Sequence, residues 1–525
     1  MPNVIKDPCD EAVMLSRKSL ERCSKKQARW ILAATILASS MAFIDGTVVN
    51  VALPSLQQSL HATAVGVQWV VEAYALFLSA LLLVGGSLGD QFGRRRVFVI
   101  GVLIFALASA WCGIAPNISQ LIVARAVQGV GAALLVPGSL AIISASFPEE
   151  TRGKAIGTWS GFSAITTAIG PVLGGWLVEH VSWRAVFYLN LPIAAAIVFI
   201  TFFRVPESRD REKRGRIDVA GAALATFGLG STVYGLIESS AAGFAAWHVW
   251  LALVCGLLAI VLFVIWEDHA KSPMLPLKLF RSRNFTGTNI LTLLLYFALG
   301  GALFFFTLNL IQVQGFSPTA AGAALLPFVL LMFALSRWSG GLIARFGPRL
   351  PLLIGPTIAA IGFALFSLPA AGAHYWSGFF PGVVVLGIGM AISVAPLTTT
   401  VMSSVPQAQA GVASGINNAV SRAAGLLAVA VLGVVMLQVF SNKLAQHLDE
   451  TKLSDTARAA VYEQRIKLGG LELPNFLSSE EKRQVDFAVK QSFVSAFRIS
   501  MIIAALTALS SSISTWFFVK NTPKK

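Results

Sequence analysis

The feature that most constrains this chain is the recurrence of apolar runs of helix length separated by short connections. Such runs fall near 30–53, 68–89, 97–115, 119–143, 154–178, 184–203, 218–238, 246–266, 287–312, 319–343, 351–369, 377–402, 411–437 and 494–519. That makes about fourteen, each near the ~20 residues a bilayer crossing requires. In lipid every backbone polar group must be satisfied within the chain, so repeated spans of this kind fold as helices. Composition agrees: 55% of the 525 residues are hydrophobic and 12% are charged, too few to coat a water-facing surface. The expected fold class is an all-α polytopic membrane protein, and a soluble enzyme is excluded.

The net charge of +15, from 40 Lys and Arg against 25 Asp and Glu, would raise nucleic acid as a partner in a soluble protein. Its distribution gives a different account. Assigning alternate connections to alternate faces puts 27 of the basic residues on one face together with both tails, while the short connections of the other face carry none. By the positive-inside rule both termini are then cytoplasmic, in the plasma membrane or bacterial inner membrane. The nucleic-acid reading falls away, and the lipid bilayer is the surrounding partner. Residues 1–29 carry mixed charges and read as a retained cytoplasmic tail. The one charged stretch on the opposite face, 438–493, holds eight basic and eight acidic residues, with Ser478 and Glu481 spaced as a capping box. It is expected to form a helical hairpin outside the membrane.

An internal repeat sets the domain plan. Gly86-Ser87-Leu88-Gly89-Asp90-Gln91-Phe92-Gly93-Arg94-Arg95 returns as Gly340-Gly341-Leu342-Ile343-Ala344-Arg345-Phe346-Gly347-Pro348-Arg349, 254 residues or eight spans later. A duplicated six-helix unit shifts by six, so two spans are inserted between the halves. The expected organisation is an N-terminal bundle at 30–203, a linker with two inserted helices at 204–286, a C-terminal bundle at 287–519 that includes the 438–493 loop, and a tail at 520–525. Repeats of this kind are common in transporters, whose substrate sites lie where the halves meet near the bilayer midplane.

Four motifs carry chemistry. The first is the turn just quoted, where Gly86 and Gly93 permit close contact and a tight turn, and Asp90 lies beside Arg94 and Arg95. The second, Asp45-Gly46-Thr47-Val48-Val49-Asn50 in span one, buries a carboxylate in an apolar helix, which is costly unless it is protonated, paired or wetted. The third, Arg125-Ala126-Val127-Gln128-Gly129-Val130-Gly131, puts a guanidinium at similar depth in span four, and guanidinium grips a carboxylate through paired hydrogen bonds. The fourth, Gly161 followed by Gly170-Pro171-Val172-Leu173-Gly174-Gly175 in span five, combines a helix kink with small residues four apart. At ~1.5 Å rise per residue, Asp45, Glu72 and Arg125 lie about 12, 8 and 10 Å below one membrane face, so they can share a layer. Glu72 belongs to no motif, and its bland reading is a rim carboxylate satisfied by water.

Together these motifs resemble the major facilitator superfamily, specifically its fourteen-helix drug/proton antiporter branch, from about Arg29 to Lys520. Gln91 departs from the usual basic residue of the first motif, and Ala344 replaces the acid in its second copy. The resemblance implies a gating role for Gly86, Asp90, Gly93, Arg94 and Arg95. It further implies proton coupling and substrate binding through Asp45 and Arg125, to which Glu72 is added as a candidate by its depth alone, and an exporter-type kink at Gly161, Gly170, Pro171, Gly174 and Gly175. The implied function is proton-coupled efflux of hydrophobic or cationic drugs, with proton and substrate competing for Asp45. A dedicated exporter of one metabolite, siderophore or toxin fits the same motifs, as does an inactive transporter-like sensor or scaffold, against which the retained Asp45, Arg125 and Gly170-Pro171 argue. In a Gram-negative cell a periplasmic adaptor would be a further partner.

Lesser candidates are Arg337, Arg422 and Glu238, with Tyr296, Phe304, Phe305 and Phe306 as candidate cavity aromatics. No GxxxxGK[ST] loop occurs, the six histidines are scattered, and the four cysteines show no metal-ligand spacing. No enzyme activity, metal or cofactor is therefore expected, and the proton gradient is the energy source.

Overall fold

The computed structural model describes residues 25–147, 149–208, 218–271, 273–406, 409–451, 453–474 and 476–520. Most of the expected N-terminal tail, part of the linker and residues 521–525 lie outside them. The long helices are α1 (Lys25–Ser59), α2 (Ala64–Phe92), α3 (Arg94–Ile114), α4 (Ile118–Ser146), α5 (Glu149–His180), α6 (Asn190–Arg204) and α7 (Val219–Ala242). They continue as α8 (Trp247–His269), α9 (Arg283–Leu308), α10 (Leu326–Gly340), α11 (Arg349–Phe366), α12 (Phe380–Ser403), α13 (Ala410–Asp449) and α14 (Ser479–Phe518). Among the described residues 13 helical stretches are long and apolar enough to cross a membrane. The remaining expected span, 154–178, coincides with α5, so the all-α polytopic fold class stands.

The repeat seen in the sequence is a repeat of packing. In the first half α4 packs on α2 and α3, α1 on α5 and α6, and α3 on α6. In the second, α12 packs on α10 and α11, α9 on α13 and α14, and α11 on α14. Between the halves α7 and α8 form a hairpin whose α7 rests on both α2 and α13, where Leu76, Val233, Ile237, Leu426 and Ala430 make a small buried cluster. Helix α8 is apolar all round and leaves Leu251, Leu257, Leu258 and Ile265 more than half exposed. In water that would be a fault, whereas on a bilayer it is the lipid-facing surface.

Two helix ends differ from the expected spans. Helix α13 does not stop at 437 but runs to Asp449, and α14 begins at Ser479 rather than 494. Each has 40 residues, or ~60 Å at the α-helical rise, about twice the hydrocarbon thickness. The extensions hold because Phe440, Leu444 and Leu448 keep an apolar stripe at four-residue spacing, which packs against α14 residues such as Val485 and Val489, all buried. The predicted capping box starts α14: the Ser478 hydroxyl accepts from the Glu481 amide at 3.3 Å, and the Ser478 amide donates to Glu481 Oε2 at 2.8 Å. Between these helices lie a short helix, Asp455–Glu463, and a 3-10 segment, Gln464–Gly470. The end of the molecule bearing them is called the loop face below, and the end bearing Asp90 and Arg94 the basic face.

Candidate functional site

Small residues on α4 bring its neighbours close enough to build a polar cluster in an apolar bundle. A side chain at Gly131 would meet the backbone of Phe105 on α3, and one at Gly129 the backbone around Tyr74 on α2. One turn before Gly129, Arg125 is 1% exposed and reaches α1, where its Nη1 donates to Asp45 Oδ2 at 2.5 Å. The predicted pair is thus made, and Asp45 is fully buried. Arg125 Nε also donates to the Val70 carbonyl at 2.9 Å, Nη1 donates to Gln128 Oε1 at 2.8 Å, and the guanidinium lies 4.3 Å from the centre of the Tyr74 ring. The other carboxylate oxygen, Asp45 Oδ1, accepts from Gln128 Nε2 at 2.9 Å and from Asn190 Nδ2 at 3.1 Å. Ser109 closes the network: its hydroxyl accepts from Asn190 at 2.9 Å and donates to the Phe187 carbonyl at 2.9 Å. Helices α1, α2, α3, α4 and α6 all meet in this cluster.

Beside it, between the halves, lies a cavity of about 230 Å³. Its polar lining comprises Asn50, Glu72, Ser79 and Arg125 from the first half with Ser421 and Arg422 from the second, and Phe304 is the candidate aromatic that reaches it. Gly46, next to Asp45, faces open space. Phe305 and Phe306 are buried instead, Phe306 stacking on Phe366 within the second half. Glu72 does not sit at an exposed rim: it is 1% exposed, lines the cavity, and leaves its Oε2 without a hydrogen-bond partner among the described residues. Asp45 does not line the cavity. Arg125 and Glu72 are thus the charged groups that the first half presents to the cavity, and Asp45 stands behind Arg125. Glu238 is not in the lining either, and the Arg337 side chain lies outside the described ones.

The two copies of the turn motif are tied alike, each to the last helix of its own half. Gly93 turns at φ +109 and Gly347 at +73, conformations that glycine adopts without strain. Arg94 pairs with Asp90 at 2.8 Å, Arg95 Nη1 donates to the Val205 carbonyl just past α6 at 3.2 Å, and Glu207 accepts from the Arg95 amide at 3.1 Å. In the second copy Arg349, at the position matching Arg95, donates to the Trp516 carbonyl of α14 at 2.8 Å and lies 4.3 Å over that indole.

The kink motif has two faces. Pro171 stands inside α5. Gly170 and Gly174 lie against Thr47 and Val48 of α1, so close that added Cβ atoms would collide with those side chains. Pro171 and Gly175 face the other half, where the short helix Pro318–Ala323 leads into α10. A Cβ at Gly175 would strike the Pro318 carbonyl, and one at Gly322 the Pro171 carbonyl. Gly161 lies earlier on the same helix. Beside this contact Thr319 Oγ1 donates to Glu179 Oε2 at 2.6 Å. Gln57 of α1 receives Gln312 Nε2 at 2.9 Å and donates to the Lys467 carbonyl at 3.1 Å, so the 3-10 segment straps the same seam. Glu472 meets Lys467 at 3.2 Å and His61 at 3.4 Å, and the hydrogen bonds from these side chains, Lys467 first, hold its carboxyl below the usual range. The two halves are thus locked together at the loop face.

Two packed six-helix units with a polar-lined cavity on their pseudo-symmetry seam, all within membrane-length helices, define a polytopic membrane transporter. Comparison with known proteins agrees. The family model of the Major Facilitator Superfamily matches residues 35–429. Multidrug resistance protein Stp of Mycobacterium tuberculosis is 34% identical over 92% of this chain and 91% of its own length. The tetracenomycin C resistance and export protein of Streptomyces glaucescens is 33% identical over 94% and 92%, and the methylenomycin A resistance protein of Bacillus subtilis 32% over 81% and 91%. Among solved structures, a bacterial homolog of the human lysosomal transporter Spinster aligns with a TM-score of 0.67 at 15% identity, covering 95% of this chain and all of that one. The POT family transporter PepTSo aligns at 0.61 and 16%, over 94% and 98%. The chain belongs to the major facilitator superfamily, in its multidrug-efflux branch.

Proposed function

We propose that the protein exports small hydrophobic or cationic compounds, driven by protons moving the other way, and that the basic face is cytoplasmic. The single observation that carries this reading is the buried Asp45–Arg125 pair standing directly behind a substrate-sized cavity between the two halves. A proton reaching Asp45 cancels the charge that holds Arg125. The guanidinium then has a reason to turn toward the cavity, repel a cationic compound outward while the loop face is open, and let the halves return to the conformation in which the loop face is closed. Loss of the proton to the cytoplasm from that conformation restores the pair seen here. The ligand and the proton thereby act on one two-state equilibrium through differential affinity, which is all that coupling requires. The Asp90–Arg94 turn serves as a gate at the cytoplasmic end, and the names of the relatives support resistance to toxic compounds as the outcome.

Expression in an efflux-deficient host, followed by a growth-inhibition panel, tests the reading. Raised tolerance to several unrelated hydrophobic compounds supports it. Tolerance to one compound alone would replace it with a dedicated exporter, and none at wild-type abundance with a sensor or scaffold. Within the cavity Glu72 supplies the carboxylate that a cationic compound meets. Glu72→Gln is expected to lower export of monocationic dyes by about tenfold, the worth of one charge-assisted contact, while uncharged compounds change little. Efflux rates measured for a matched pair of cationic and uncharged dyes check this.

A further inference from the structure

The cavity carries polar groups that the coupling scheme does not use. On the first half's side Asn50 Oδ1, Glu72 Oε2 and Ser79 Oγ have no hydrogen-bond partner among the described residues. On the second half's side stands Arg422 of α13, which makes no hydrogen bond or ion pair among the described residues. Arg125 is different, since Asp45 already balances it. One turn after Arg422, α13 touches α9 backbone to backbone, an added Cβ at Gly300 falling 2.8 Å from Gly425 Cα, so no side chain at Gly300 covers the guanidinium. An uncompensated arginine at membrane depth is expensive and marks a ligand or ion pathway by default. Its planar fork of donors matches oxyanions in pairs, which a lysine ammonium does not.

We propose that Arg422 recognises an acidic oxygen of the substrate, a carboxylate, enolate or phenolate carried on a hydrophobic ring system. The range of the transporter then extends from cations to anionic and zwitterionic compounds, with Glu72 and Arg422 reading opposite charges from opposite halves. A purely cationic compound gains nothing from Arg422. An acidic one replaces the water around it with paired hydrogen bonds, and a zwitterion engages both halves at once. This rests on the efflux reading above.

Two xanthene dyes of similar size and opposite charge test it: fluorescein, an anion, and rhodamine 6G, a cation. Gradient-driven accumulation of each is measured in everted vesicles for wild type, Arg422→Gln and Arg422→Lys. Wild type is expected to accumulate both. Arg422→Gln is expected to lose fluorescein accumulation by at least about tenfold while rhodamine 6G stays within about twofold, which also shows that the variant is folded. Arg422→Lys is expected to recover part of the fluorescein signal, because it keeps the charge and loses the fork. Wild type moving rhodamine 6G alone overturns the proposal and leaves the efflux reading standing. So does loss of both dyes in Arg422→Gln, which would make Arg422 part of the conformational cycle through pairing with Glu72, and so does loss of neither. Neither dye moving in wild type brings down the efflux reading and this proposal with it.

Discussion

Arg125→Met alone is expected to cost about 3–5 kcal/mol of folding free energy and to abolish transport, because it strands the Asp45 carboxylate in a bundle with no other cation paired to it among the described residues. The double variant Asp45→Asn with Arg125→Met should recover most of that loss. Desolvation consumes much of what a buried pair gains, so replacing both partners is far milder than removing one. The amides of Gln128 and Asn190 remain in place to donate to the new side-chain carbonyl at position 45, as they do to Asp45 Oδ1. Transport is expected to stay at background in the double variant. Thermal unfolding midpoints in detergent, with abundance and dye transport measured on the same preparations, check the cycle. Equal loss of stability in the single and double variants would mean that the packing of the arginine, over Tyr74 and onto the Val70 carbonyl, outweighs its charge.

Gly175→Leu carries the second large effect, and it acts through shape. The loop face closes because Gly175 and Gly322 let α5 and the Pro318–Ala323 helix touch backbone to backbone. A leucine at 175 cannot fit against the Pro318 carbonyl without moving the halves apart. Overpacking of this kind costs about 1–3 kcal/mol, which displaces a two-state equilibrium by roughly five- to 150-fold. The expected result is a folded protein with its Asp45–Arg125 pair intact and its loop face held open, transporting at under about a tenth of the wild-type rate. A cysteine placed at Ser317 should then label faster with an impermeant maleimide applied from the loop face. Gly174→Leu serves as a contrast, since that residue packs on Val48 within its own half and should lower stability without favouring the open loop face.

Much of this architecture is legible in the sequence, for stated reasons. Spans are readable because lipid demands about twenty apolar residues, and the repeat of Gly86–Arg95 at Gly340–Arg349 is enough to predict the inserted pair α7 and α8. The Asp45–Arg125 contact is legible because helical rise converts sequence position into height, putting both in one layer, and because a guanidinium buried in an apolar helix needs a carboxylate partner. Asn190 is not among the residues singled out from the sequence, although the same arithmetic puts it six residues inside the sixth expected span and so ~9 Å below the same face as Arg125. Gln128 is three residues from Arg125, on the same side of the helix, and its signal is that spacing. Other features depend on contacts that no local pattern encodes. The second face of the kink motif, Pro171 with Gly175, gains its meaning from a helix more than 140 residues away. The extensions of α13 and α14 escape a hydropathy reading because their outer faces carry charges while Phe440, Leu444 and Leu448 pack inward.

The most direct test of the central claim is gradient-driven dye movement in everted membrane vesicles, with Asp45→Asn beside wild type at matched abundance. In the proposed orientation everted vesicles expose the basic face, and an imposed proton gradient supplies the only energy. The account predicts that a lipophilic cationic dye enters wild-type vesicles only while the gradient stands, and that Asp45→Asn vesicles show no gradient-dependent entry. Entry of the dye into Asp45→Asn vesicles at the wild-type rate, or into wild-type vesicles after the gradient is collapsed, would contradict it.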